Sequence, residues 1–153
     1  MDIRPARADE ADALSDLARR AKAHWGYDQA FLDACRDELT YTAEEVGAGG
    51  FFVADDDGEV RGFYALAKVS PTAMELDAVF VEPAHIGRGY GRALLEHALA
   101  EAGRHDDIER LVIQADPHAA EFYESAGAVQ IGERESASIA GRMLPLYEIT
   151  IER

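Results

Sequence analysis

With 153 residues, 48% of them hydrophobic and 29% charged, the chain has the length and composition of one globular domain with its own core. A formal charge of -15, from 30 acids against 13 Arg and 2 Lys, disfavours binding to a phosphate backbone, which needs clustered cations, so no nucleic-acid partner is expected. No apolar run approaches the ~20 residues of a membrane span, and Cys35, the only cysteine, excludes an internal disulfide and a thiolate metal cluster.

The opening MDIRPARADEAD is acidic and lacks an apolar segment, so a secretory leader is not expected and a cytoplasmic location is. A first strand is read over Asp2 to Ala6. Asp9 then caps a helix running to about His24, with Leu14, Leu17, Ala18 and Ala21 on one face. HWGYDQ breaks it, and a second helix runs from about Gln29 to Leu39, with Cys35 as a structural thiol. TAEEVGAGG closes this mostly helical third. The period then changes to that of strands. FFVADDDGEVRGFYALAKV reads as a hairpin, with strands Phe51 to Ala54 and Glu59 to Val69 around an Asp57-Gly58 turn. AMELDAVFVEP is a third central strand, ended by Pro83. A helix from Gly89 to about Gly103, the strand LVIQA, a helix from Pro117 to Ala126 and the strands AVQIGERE and PLYEITIER complete the order. That order predicts an α/β (α+β) class fold: a mixed, mostly antiparallel central sheet with helices on both faces, forming one domain over residues 1–153.

Within this pattern the stretch HIGRGYGRALL (His85 to Leu95) stands out. It places Gly87, Gly89 and Gly91 at alternate positions where a strand hands over to a helix. Tyr90, Ala93, Leu94, His97 and Ala98 form the apolar stripe of that helix. A helix start carries backbone N–H groups without intrahelical partners and the positive end of the dipole, so it is a ready anion site. Arg88 and Arg92 add positive charge, and no acid occurs between His85 and Leu95, against the trend of the whole chain. A Walker A loop is excluded because its Lys is missing, and the glycines are spaced G-x-G-x-G rather than G-x-G-x-x-G. The alternative is a glycine-rich turn that binds nothing.

VFVEPAHIGRGYGRALL (Val79 to Leu95) resembles motif A of the GNAT superfamily of acyl-CoA-dependent N-acyltransferases, and DPHAAEFYESAGA (Asp116 to Ala128) is similar to its motif B. Ile86 departs from the pattern, because the family usually has Gln or Arg at this opening position. The resemblance covers nearly the whole chain and implies an acetyltransferase that takes acetyl-CoA as acyl-donor co-substrate, with no metal. The five histidines likewise show no ligand spacing. It also implies that the pyrophosphate rests on main-chain amides of Gly87, Arg88, Gly89, Tyr90, Gly91 and Arg92. The pantetheine arm would pair with Val79, Phe80 and Val81.

The same resemblance implies a catalytic tyrosine, Tyr123, as the acid that serves the departing thiolate. For the base, Glu75 is the first choice, Asp77 the second, with water as an intermediary. The two carboxylates lie two apart on one strand and so share a face. Acceptor recognition would fall on AHWGYD and SASIAGRML, naming His24, Trp25, Tyr27 and Arg142 as candidate substrate-binding residues. Trp25 would form an aromatic wall or plug the junction of the two helices, and Arg142 would grip an anionic group or stay solvated. The acceptor is expected to be a small-molecule or peptide amine. The acidity either attracts a cationic acceptor or is a solvated surface. A homodimer is compatible with the pattern, and the alternative function is a non-catalytic acyl-CoA-binding sensor or interaction module.

Overall fold

A computed structural model describes every residue, Met1–Arg153. In chain order the strands are β1 (Asp2–Pro5), β2 (Phe51–Asp56), β3 (Glu59–Ser70), β4 (Ala73–Val81), β5 (Arg110–Gln114), β6 (Val129–Glu135) and β7 (Met143–Thr150). The helices are α1 (Ala11–Ala23), α2 (Gln29–Ala34), α3 (Ala43–Gly47), α4 (Tyr90–Gly103) and α5 (Ala120–Ser125). The seven strands are hydrogen-bonded in the order β1-β2-β3-β4-β5-β7-β6. β4 and β5 are parallel, whereas β1-β2, β2-β3, β5-β7 and β6-β7 are antiparallel. This is the mixed, mostly antiparallel α/β arrangement expected from the order of elements.

The chain divides into two compact units, Met1–Ala65 with Ala78–His97, and Leu66–Asp77 with Ala98–Arg153. In the first unit the apolar face of α1 buries Leu14, Leu17 and Ala18 completely or nearly so, and Val53, Phe63, Leu94 and Leu95 are buried with them. Tyr41 packs edge-on against Phe51 and Phe63, and Phe63 also meets Phe80 at the end of β4. Arg4 on β1 forks onto Glu10 through two bonds of 2.9 and 3.0 Å and reaches Asp55 on β2 at 3.1 Å. That one side chain ties the first strand, its neighbour and the entry to α1 together. In the second unit Ile108, Leu111, Ile113 and Tyr147 are buried, and Gly103 at the end of α4 sits against Ile151.

Several boundaries differ from the sequence expectation. Asp9 does not cap the first helix. A single 3-10 turn (Ala8–Glu10) precedes α1, and the Glu10 carboxylate takes a bond from the Arg7 N–H instead. α2 stops at Ala34, and the chain tightens into turns through Leu39, while Cys35 and Leu39 are buried as expected. α4 begins at Tyr90 because Gly89 adopts a left-handed conformation, φ +89°, that lies outside any right-handed helix.

Gly62 on β3 marks a close approach. A Cβ there would lie 2.7 Å from the Phe80 carbonyl oxygen and 3.0 Å from a Leu94 methyl. The nearer atom is backbone, which cannot rotate away. Gly62→Ala is therefore expected to cost about 1–3 kcal/mol, the usual range for overpacking. Urea denaturation would show it as a lower midpoint, and an unchanged midpoint would mean that the strands have slack at this crossing.

Candidate active site and family

The glycine-rich loop belongs to the first unit. Gly87 and Gly89 have φ of +86° and +89°, whereas Gly91 lies within α4. A Cβ on Gly87 or Gly89 would meet nothing within 4 Å. Backbone conformation, not crowding, is what demands glycine at both positions, and the space before them is open. The Ala93 N–H is the first to bond back along the chain, to the Gly89 carbonyl at 3.1 Å. The N–H groups of Tyr90, Gly91 and Arg92 make no such bond and lie in the first turn of α4, at the positive end of its dipole.

Side chains lock this loop in place. The Tyr90 hydroxyl donates to Asp56 at 2.6 Å, anchoring the first turn of α4 to the end of β2 and holding the Asp56 carboxyl below its usual range. His85 has Arg61 Nη1 2.6 Å from its Nε2 and Arg88 Nη1 3.3 Å from its Nδ1. A neutral imidazole accepts at one nitrogen only. Only one of the two contacts is then an accepted hydrogen bond, and the tautomer decides which. Ile86, at the position that departs from the family pattern, is 44% exposed and supplies no polar group.

β4 carries the other expected residues in alternation. Met74, Leu76 and Ala78 are buried, while Glu75 and Asp77 take the opposite face. The ladder to β5 comprises Ala73↔Arg110, Met74↔Leu111 and Glu75↔Val112 and then stops. From Leu76 to Val81, which includes Val79, Phe80 and Val81, β4 has no ladder partner on its β5 side.

In the second unit Glu75 is bound by Arg134, whose Nη2 lies 2.6 Å from Oε1. Asp77 keeps solvent access, yet protein atoms crowd its carboxylate. That desolvation, and the neighbouring Glu75 carboxylate with which it shares a hydrogen bond, push the Asp77 carboxyl up to about 7. Tyr123 on α5 is buried at 6% exposure. Burial, with a smaller contribution from the Asp116 charge, raises its phenol well above the ordinary tyrosine value. Its ring packs against Phe122 and Tyr147, whose own hydroxyl donates to Glu124 at 2.7 Å.

The acceptor candidates are less uniform. His24 and Trp25 sit edge to face with ring centres 5.1 Å apart, and Trp25 is 41% exposed, so it does not plug the helix junction. Tyr27 stacks on Phe31 at 4.0 Å beneath the Lys22 ammonium. Arg142 approaches Asp116 at 3.7 Å and is mostly covered, so it is not a solvated loop arginine. Asp116 also receives the His118 backbone N–H at 2.9 Å, as the cap of the turn before α5.

Two features escaped the sequence reading. Arg61 on β3 lies far from the glycine loop in sequence, and Arg134 on β6 lies 59 positions from the Glu75 it binds. A local pattern carries no signal for either. No group of three or more His, Cys, Asp or Glu side chains is placed to hold a metal. No helix is long and apolar enough to cross a membrane.

The profile of the acetyltransferase (GNAT) family matches residues 12–128. The chain belongs to that family. It is 28% identical over 148 residues to a 5-NmdU N-acetyltransferase of Pseudomonas phage PaMx11, covering 95% of this chain and 96% of the relative. A mycothiol acetyltransferase of Nocardia farcinica is 31% identical over 93 residues, 61% of this chain but 29% of that longer protein. The PaiA N-acetyltransferase of Thermoplasma acidophilum, solved in complex with coenzyme A, superposes with a TM-score of 0.76 at 17% identity over 97% of this chain and 98% of that one. At such identity the likeness is one of fold. Family membership makes the chain an acetyltransferase, and its glycine loop lies inside the matched region.

The left-handed turn has a measurable cost if altered. Gly89→Ala is expected to lose about 1–2 kcal/mol, the penalty for an L-residue in this conformation. The added methyl itself meets nothing, so a loss in thermal or urea unfolding reports backbone strain alone. No loss would show that the loop readily takes another conformation.

Proposed function

We propose that this protein transfers an acetyl group from acetyl-CoA directly to an amine, with residues 1–153 acting as a single N-acetyltransferase domain. The observation that carries the reading is the loop of left-handed Gly87 and Gly89 opening onto α4, with unpaired amides, open space and Arg88 and Arg92 in an otherwise acidic chain. A diphosphate fits that donor set, which combines N–H groups, a helix dipole and guanidinium charge. In this reading the amides of Gly87, Arg88, Gly89, Tyr90, Gly91 and Arg92 hold the pyrophosphate. The unladdered main chain at Val79, Phe80 and Val81 pairs with the pantetheine amides as a strand partner would.

The chemistry needs two proton movements. An amine acceptor near its ordinary pKa of about 10 is mostly an ammonium at neutral pH and must lose a proton before its lone pair can attack. The β4 carboxylates Glu75 and Asp77, directly or through water, take that proton. The nitrogen then attacks the thioester carbonyl, the C–S bond breaks with the electron pair leaving on sulfur, the nitrogen's surplus proton passes to water, and the departing thiolate takes a proton from water to become the free thiol. Tyr123 is the acid for that sulfur. Burial keeps its phenol protonated throughout the working pH range. Because an ordinary phenol already binds its proton more tightly than a thiol does, Tyr123 acts through a hydrogen bond that strengthens as charge builds on sulfur.

The acceptor is a small-molecule or peptide amine, and the charge of -15 favours a cationic one through attraction at long range. His24, Trp25 and Tyr27 are the aromatic groups offered to it.

Incubating the protein with acetyl-CoA and a panel of amines, with release of free thiol as the signal, tests the reading. Thiol release that requires an amine supports it. Binding of coenzyme A without release toward any amine would make the chain an acyl-CoA-binding module. Tyr123→Phe is expected to lower turnover at least tenfold with little change in coenzyme A affinity, and an unchanged rate removes Tyr123 from the mechanism. Gly89→Glu, placing a carboxylate where the diphosphate would sit, is expected to abolish coenzyme A binding by calorimetry. Undiminished affinity would put the diphosphate elsewhere.

A further inference from the structure

The two carboxylates of β4 do not have equivalent surroundings. Glu75 is largely covered, with 17% of its side chain exposed, and its Oε1 lies 2.6 Å from Arg134 Nη2. The guanidinium is itself oriented. Its Nε donates to Gln114 Oε1 at 2.7 Å, and the Gln114 amide is fixed in turn by its Nε2, 3.4 Å from the Arg134 carbonyl and 3.3 Å from that of Glu135. Gln114 ends β5 and Arg134 lies on β6, beyond the register shift between Gln130 and Gly132. A bulge of this kind re-aims the side chains that follow it. The planar fork of arginine satisfies a carboxylate and an amide oxygen at once, which a lysine cannot do in the same geometry.

Asp77, on the same face two residues on, has no ion pair of its own. The charges acting on it are Glu75 from its own strand, which opposes its ionisation, and Arg134 from β6, which favours it. A fixed cation against one carboxylate of a close pair decides which member keeps the negative charge and which holds a proton.

We propose that Arg134 is a positioning residue that holds Glu75 as the charged member of the β4 pair, so that Asp77 is the group that takes the proton from the acceptor ammonium. The inference rests on the acetyl-transfer reading above and reverses the sequence preference for Glu75 as base. In the step itself an N–H bond of the ammonium breaks, its electron pair stays on nitrogen, and the proton goes to an Asp77 carboxylate oxygen. Glu75 remains ionised against Arg134 throughout. An Asp77 that titrates near neutrality is both ionised in a useful fraction of molecules and basic enough to compete for the proton. Glu75 is already engaged by the Arg134 guanidinium.

The test combines carboxyl-carbon NMR titration of the free protein with the pH profile of kcat/KM. In the wild type the Asp77 carboxyl is expected to titrate near neutrality, and the rate to rise with pH through the same midpoint. Arg134→Gln should raise that midpoint by at least half a pH unit and spread the titration onto Glu75, and Arg134→Lys should restore part of the difference. Glu75→Gln, which removes the opposing charge, should lower the Asp77 midpoint. A near-neutral titration on Glu75 in the wild type, or an Asp77 midpoint indifferent to Arg134→Gln, overturns the assignment even in an active enzyme. So does a rate profile that ignores a shift seen by NMR. If Asp77 titrates as described but no amine is acetylated, the electrostatic pair stands and the acetyl-transfer reading fails instead.

Discussion

Two left-handed positions, Gly87 and Gly89 on either side of Arg88, set the route of the chain through one strand-to-helix junction. The chain leaves β4 at Val81, passes a 3-10 turn at Pro83–His85, and can enter α4 at Tyr90 only because Gly87 and Gly89 adopt φ near +90°. An L-residue at either position would pay about 1–2 kcal/mol, so glycine is a requirement of the route and not a consequence of tight packing. The result is a helix whose first amides are presented without acceptors to open space. Tyr90 then fixes the orientation by its bond to Asp56, which keeps the first turn of α4 from drifting on its flexible hinge. The glycines permit the turn, and the Tyr90–Asp56 bond restrains the helix that follows it.

Much of this was legible in the sequence. The change from helical to strand period after Gly50 and the glycine spacing before α4 are local signals, and the strands and the helix they announce occur there. His97, on the apolar stripe of α4, is half-buried and has the Tyr64 hydroxyl 2.8 Å from its Nδ1. What escaped was decided by distant partners. Asp9 has the chemistry of a helix cap, but Glu10 is recruited by Arg4 from β1, and its carboxylate closes the helix entry instead. The tail of the second expected helix, Cys35 to Leu39, keeps its apolar contacts but not its helical path, since burial of two side chains does not require regular hydrogen bonding between them. The environments of Glu75 and Asp77 likewise depend on Arg134, which no window around β4 contains.

Arginine use follows from the charge imbalance. With 30 acids and 15 bases, carboxylates inevitably meet, and each meeting that the fold partly buries is repulsive unless a cation intervenes. Arg4 stands between Glu10 and Asp55, and Arg134 beside Glu75 and Asp77. In the first case both acids bond directly to the guanidinium, and Glu10 is held below the ordinary carboxylate range by that bond. The pairing stabilises the entry to α1 at any pH where Glu10 is ionised and weakens as acid protonates it. In the second case only one of the two acids is bonded. The same residue type therefore neutralises one carboxylate pair and leaves the other asymmetric.

That asymmetry matters because desolvation acts in the same direction on both groups invoked for proton movement. It raises Asp77 and it raises Tyr123. For a carboxyl that starts near 4, the rise brings it to the edge of neutrality, where it can exchange a proton. For a phenol that starts near 10, the rise removes it further from neutrality and leaves it a permanent donor. One physical cause thus has opposite consequences, because the two side chains begin on opposite sides of neutrality. Glu75, in contrast, has the Arg134 guanidinium at hydrogen-bond distance. The surroundings of Glu75 and Asp77 therefore differ less through the acids that β4 carries than through where the fold places Arg134.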